Sequence, residues 1–194
     1  MANSETEICN SALIKIGGKR IVNLSENSKE ARLCKELYPL KRDETLEAHP
    51  WKFAMARTAL AKTSNTPVFG YDSEFQLPTD CLRIILTNLL DLSQWTREGD
   101  KLLANDTTVS ILYIKAITDV SRFSKTFTEA LANLLASELA YPIAQSTNLS
   151  DYYYKKFRAV IADARSFNAQ EGFTRNQIEA NTWLNARYSR FTGA

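Results

Sequence analysis

Apolar positions in the first fifty residues recur at the three-and-four spacing of a helix. Ile8, Ala12, Leu13 and Ile16 form one stripe, opened by Ser4 and Glu7 at capping-box spacing and closed by Gly17-Gly18. Ile21, Val22 and Leu24 make a short apolar linker. A second cap signal at Asn27-Ser28 opens a helix running to about Ala48, with Ala31, Cys34, Leu37 or Tyr38, and Leu46 facing inward. Pro39 is expected to kink or divide this helix, because it removes a backbone donor and crowds the preceding turn. His49-Pro50 closes it.

The period changes from Trp51 to Lys115. Trp51, Phe53 and Met55 alternate with Lys52, Ala54 and Ala56, a pattern that permits a strand. Pro67, Gly70 and Pro78 punctuate the stretch in which Phe69, Tyr71, Phe75 and Leu77 read as extended. A turn at Leu77-Pro78-Thr79-Asp80 leads into a short apolar element, Leu82 to Leu90. Asn105-Asp106 is a hairpin-turn candidate between strands at Lys101–Ala104 and Thr107–Lys115, the latter dominated by Thr, Val, Ile and Tyr.

Helical spacing then returns. Thr126 or Thr128 is positioned to cap a helix carrying Ala130, Leu131, Leu134, Leu135 and Leu139 on a wide apolar face, with Pro142 bending or ending it. Gln145 to Asn148 reads as a loop and Ser150 as the cap of a last helix, with Tyr153, Phe157, Val160, Ile161 and Ala164 inward and an end near Glu171-Gly172. The periodicity is weak from Phe173 to Ala194, where Trp183, Leu184, Tyr188 and Phe191 are spread among Arg and Asn. The expected fold is mainly α: a four-helix bundle formed by residues 1–50 and 126–172, a projecting β-rich insertion at 51–125, and an extended C-terminal arm at 173–194.

Composition narrows the chemistry. The 194 residues carry 24 Lys+Arg against 22 Asp+Glu, a formal charge of +2 that argues against broad coating of polyanions. Residues 151–194 hold seven bases and four acids, so the basic excess lies in the last part of the chain. The longest run without a charged side chain, Leu139 to Ser150, is twelve residues, short of the about 20 that a membrane-spanning helix needs. Met1 to Asn10 has two glutamates and no basic apolar leader, so no signal peptide is expected.

The single His49 removes His-pair zinc sites, and Cys9, Cys34 and Cys81 are too widely spaced for CxxC ligation. All three read as small core residues with reduced thiols in a cytosolic setting, and neither a cofactor nor a metal is expected. Dinucleotide, P-loop, nucleophile-elbow and zincin signatures are absent from the sequence. Gly17-Gly18-Lys19-Arg20 follows a helix, so it reads as a helix end rather than a phosphate loop.

Several segments in this order resemble the tail tubular protein A family, the head–tail adaptors of tailed phages. They are Cys9-Asn-Ser-Ala-Leu-Ile-Lys-Ile-Gly17 with Ile21-Val-Asn-Leu24, then Ala31-Arg-Leu33 through Leu46. Trp51-Lys-Phe-Ala54 with Arg57 and Leu60 follows, then Phe75-Gln-Leu-Pro-Thr-Asp-Cys-Leu82, and finally the helical pair Thr128–Ala140 and Tyr152–Arg165. The likeness spans roughly residues 4 to 170 and rests on shared order and spacing. It implies a virion structural protein, made in the host cytoplasm and not a catalyst. Such subunits form a ring, dodecameric in family members, between the portal protein and the tail tube or nozzle, with double-stranded DNA passing through the lumen.

The partner-binding candidates lie in the arm: Arg175, Trp183, Arg187, Tyr188 and Phe191, aromatic and Arg residues of the kind that anchor interfaces. They would dock on the portal or an adjacent subunit, or else fold back over their own bundle. Tyr152-Tyr153-Tyr154-Lys155-Lys156 invites a nucleic-acid reading, but five successive helical residues point around the axis and only some can share a surface. Lys19-Arg20 and Lys41-Arg42 face solvent, a neighbour or the lumen. Two alternatives remain: a small nucleic-acid-binding helical protein, and a hydrolase, for which Glu44 and Glu47, or Asp100 and Asp106, read only as charged surface residues.

Overall fold

The computed structural model of the chain describes residues 4–89 and 94–171. The first helix, α1 (Glu5–Lys15), opens with a complete capping box: the Glu7 amide donates to the Ser4 hydroxyl at 3.1 Å, and the Ser4 amide donates to the Glu7 carboxylate at 2.9 Å. It ends in a Schellman turn, with Gly17 N–H on Ile14 C=O at 3.1 Å and Gly18 N–H on Leu13 C=O at 2.8 Å. Gly17 has φ +74°, a conformation that glycine alone adopts without strain. The linker that follows is clipped to α1 by one side chain. Asn10 donates to Ile21 C=O at 2.9 Å and accepts from Ile21 N–H at 2.8 Å.

Ser28 caps α2 (Lys29–Ala48), accepting from Ala31 N–H. Pro39 does not divide it: α2 is one 20-residue element. Tyr38 on one side of the proline and Arg42, Thr45 and Leu46 on the other are all buried, and that packing outweighs the lost backbone bond. Trp51–Ala54 is not strand either. Lys52–Ala54 forms a 3₁₀ turn that aims Trp51 and Ala54 into the core before β1 (Met55–Ala59) begins.

Six further strands follow: β2 (Ala61–Lys62), β3 (Ser73–Gln76), β4 (Cys81–Thr87), β5 (Trp95–Glu98), β6 (Lys101–Ala104) and β7 (Ser110–Lys115). They make two antiparallel sheets, one ordered β1-β7-β4 and the other β2-β3-β6-β5. The strands expected on either side of Asn105-Asp106 exist, but they do not pair. Residues 105–109 instead carry the chain from β6 in one sheet to β7 in the other. The close hairpin is β5-β6, turned by Gly99-Asp100 with Gly99 at φ +60°, so that Glu98 faces Lys101.

A 3₁₀ turn at Val120–Arg122 precedes α3 (Lys125–Ala144), whose cap is Ser124 rather than Thr126 or Thr128. Ser124 lies one residue before the helix and its hydroxyl accepts from Phe127 N–H, which a residue inside the first turn cannot do. Pro142 lies in the last turn, and the helix ends two residues later at left-handed Gln145. Helix α4 (Thr147–Glu171) starts four residues earlier than a Ser150 cap implies, because Ser146 accepts from Leu149 N–H.

The mainly α bundle with a projecting insertion is therefore corrected to a mixed α/β fold. Among the described residues, four α-helices stand beside two antiparallel sheets of seven strands. The reason lies in β7, which is apolar on both faces. Ile114 joins the core of the four helices, while Ile111 and Tyr113 join a second core with Phe75, Leu77, Leu102 and Ala104 of the other sheet. The helices do not close a core among themselves, since Trp51, Ala54, Ile114, Ile117 and Phe123 complete it. At its centre, every residue of α3 from Ala130 to Ser137 is buried, so the helix is enclosed all round by α1, α2 and α4.

Replacing Asn10 by Ala removes both bonds that hold the buried Ile21 backbone. Urea unfolding should show a loss of about 2–4 kcal/mol from the two orphaned groups, with an unchanged m-value.

Candidate partner-binding surfaces

The arm residues Arg175, Trp183, Arg187, Tyr188 and Phe191 lie outside the described residues. The other charged and aromatic candidates fall mostly into structural roles. Lys41 sits between Glu44 at 2.9 Å and Glu138 at 2.7 Å, tying α2 to α3. Burial alone would lower its pKa, but the two carboxylates hold it above the usual lysine value. The next residue, Arg42, is buried, with Nε 2.8 Å from Asp43. Neither residue of Lys41-Arg42 is a free cation for a phosphate, and Glu44 is occupied as a counter-ion. Lys19 and Arg20 are exposed.

The second pair of carboxylates is likewise engaged. Asp100 accepts from Gln76 Nε2 at 3.1 Å, and Asp106 accepts from Thr107 N–H at 2.6 Å and Thr108 N–H at 3.3 Å. Asp106 thus serves its own turn, and Asp100 ties the β5-β6 turn to β3. Helix geometry splits the Tyr152–Lys156 run as expected. Tyr153 turns inward and donates to Lys15 C=O at 2.6 Å, while Tyr152 and Tyr154 are exposed and Lys156 lies 5.5 Å over the Tyr152 ring.

Cys9 on α1 and Cys34 on α2 are buried side by side, a pairing that 24 intervening positions hide in the sequence. The hydrogen bond to Cys34, followed by burial, holds the Cys9 thiol far above its ordinary pKa, and the same bond lowers Cys34. Burial is also the main influence that raises Cys81, in β4. His49 is buried with its ring edge against Trp51 at 4.7 Å, and Trp51 donates from Nε1 to Thr45 C=O at 2.8 Å. Among the described residues, no three His, Cys, Asp or Glu gather as metal ligands, and no helix is long and apolar enough to cross a membrane.

Apolar side chains reach outward at several positions, Val22, Leu40 and Tyr141 among them, and in two places they adjoin a hollow in the surface. The first is the loop of residues 63–72 between β2 and β3. Val68 and Phe69 at its tip are 98% and 87% exposed. Phe69 was expected in an extended run, but the strand begins only at Ser73. The base of the loop is fixed. Thr63 donates to the Glu74 backbone at 2.8 Å and to its carboxylate at 2.9 Å, Lys101 lies 2.9 Å from the same carboxylate, and Asp72 N–H donates to Asn105 at 3.1 Å. Lys101 and Thr63 together hold Glu74 below the usual carboxylate range. A readable signal was present: two large apolar residues bracketed by Pro67 and Gly70, with no polar alternation around them.

The second place is a groove of about 420 Å³ on the β1-β7-β4 sheet, including Arg57, Leu86, Asn88, Ser110 and Leu112 in its lining. Arg57 faces Leu112, which faces Leu86, so the three side chains form a row across the sheet. That row shares a face with Ile114, which the helices cover. The helices stop short of it, and Leu86 stays 44% exposed. A sequence pattern cannot reveal this, because the pairing of β1, β7 and β4 spans more than fifty residues.

No protein-family model matches the chain, and no curated protein matches it.

His49 gives a clean solution test as the only histidine. Burial first, then the charges of Arg165 and Arg83, lowers its pKa below 6.5. The unfolded chain therefore takes up the proton first as pH falls. The resulting stability is complete above about pH 6.5 and is lost as pH falls through the lower folded value. Denaturant midpoints between pH 7 and pH 5 should fall for the native chain, and His49→Gln should flatten that slope.

Proposed function

We propose that the chain is a structural subunit of a tailed-phage virion, a head–tail adaptor that joins copies of itself in a ring between the portal protein and the tail tube or nozzle. The family resemblance supplies the kind of assembly. The observation that carries assembly itself is the clamped loop presenting Val68 and Phe69 to water, since a rigid apolar tip is stabilised by a partner that covers it.

Further features support the reading. Five of the segments that carry the resemblance meet in one core: Cys9 to Ile16 with Ile21, Ala31 to Leu46, Trp51 to Ala54, Ala130 to Ala140, and Phe157 to Ala164. Leu82, from another, packs against it. Many of the resembling residues are thus those that specify the fold, and the outer surface is left for partners. A nearly neutral chain suits a channel that releases double-stranded DNA, because numerous phosphate contacts would hold it back. DNA passes without sequence-specific binding in this reading. The arm, through Arg175, Trp183, Arg187, Tyr188 and Phe191, docks on the portal or an adjacent subunit.

Electron microscopy of the purified chain mixed with its cognate portal tests this. The expected result is one stoichiometric extra ring at the narrow end of the portal, and a persistently unbound monomer contradicts it. Deleting residues 173–194 should weaken portal binding; unchanged affinity rules out docking through the arm.

A further inference from the structure

The tip of the 63–72 loop and the groove on the β1-β7-β4 sheet both expose apolar side chains and carry opposite charges. The tip, Pro67 to Gly70, holds both large side chains nearly fully in water, above a hollow of about 380 Å³ that it shares with Glu74, Glu98, Lys101 and Leu103. The groove is a concavity with Ala59, Leu86 and Leu112 among its lining residues, and its roughly 420 Å³ lies in the size range of clefts that enclose small ligands. The only charged side chain along the loop is Asp72, and the only one lining the groove is Arg57. Among the described residues neither makes an ion pair. One element offers an apolar knob beside an unmatched anion, and the other an apolar hole beside an unmatched cation.

From this complementarity we propose that the Val68–Phe69 tip of one copy inserts into the β1-β7-β4 groove of the next, with Asp72 approaching Arg57 across the contact. This names the contact between copies and rests on the reading of the chain as a ring subunit. The two patches are different surfaces of one molecule, so the contact is heterologous. Every copy uses both patches, and the series closes when the rotation between neighbours divides a full turn. The loop needs little ordering on binding, because Thr63, Glu74, Lys101 and Asn105 already fix its base. The groove is equally ready, since its floor is hydrogen-bonded sheet. A knob entering a pre-existing pocket on an identical molecule is a known route to ordered polymers when the geometry leaves the series open.

The test is a disulfide trap in the full chain carrying Cys81→Ser, which leaves only the buried Cys9 and Cys34 as native thiols. Phe69→Cys and Leu86→Cys are introduced singly and together, mixed with the cognate portal and oxidised. Non-reducing electrophoresis and electron microscopy are then run on the same samples. A ladder of covalent multimers for the double variant, absent from both single variants, is the expected result. Rings without a ladder overturn this contact and leave the ring reading standing, whereas the absence of both overturns the two together. A cross-link confined within single chains, or a dimer of the Phe69→Cys variant alone, places the tip elsewhere and also overturns it.

A second variant separates contact from folding. Phe69 is exposed in the single chain, so Phe69→Asp should leave the thermal midpoint unchanged while weakening subunit association about tenfold or more. Unchanged association overturns the contact.

Discussion

Strand β7 has to hide both of its faces, and the arrangement of the molecule follows from that. Ile111 and Tyr113 point to one side and Ile114 to the other. A single covering layer would leave one of these faces in water, so the sheet takes helices on one side and a second sheet on the other. Aromatic packing ties the chain crossings to this arrangement. Trp51, Phe53, Phe123 and Phe127 contact one another with ring centroids 4.5–6.2 Å apart, where α2 hands over to β1 and where the chain re-enters α3. Salt bridges from Lys15 to Glu129 and from Lys41 to Glu138 then fasten α1 and α2 along the outer turns of α3.

Features that depend on neighbouring residues were legible in the sequence. The capping box at Ser4 and Glu7, the glycine stop, the span of α2 and the inward faces of α3 and α4 are all local, and each is present. Errors arose where tertiary partners decide. The Asn105-Asp106 turn has hairpin composition, yet the chain changes sheets there, because β6 and β7 have apolar partners on opposite sides of the second core. Pro39 breaks helices in isolation, but buried side chains on both sides of it hold α2 together. The mainly α expectation failed for the same reason: β7 reads as an ordinary strand, and only its partners reveal that it joins two cores.

The same division explains which functional features could be read. Lys41 pairs with Glu44, Asp100 accepts from Gln76 of β3 and Asp106 accepts from its own turn, roles that composition cannot distinguish from binding. The groove needs three strands brought together from distant parts of the chain. The loop tip was legible in principle, since Pro67 and Gly70 bracket Val68 and Phe69 as turn residues do. The molecule thus closes its core within the described residues and leaves apolar features outside it, which the proposed ring would use between copies.

Hydrogen–deuterium exchange on the free chain and on the chain bound to its portal compares interior and periphery in one experiment. The account predicts slow exchange in β7 and α3 that does not change on assembly, because that core is complete in the single chain. It also predicts new protection in residues 63–72, 86–88 and 110–112. Large gains of protection throughout β7 and α3, or no gain in any peripheral segment, would contradict it.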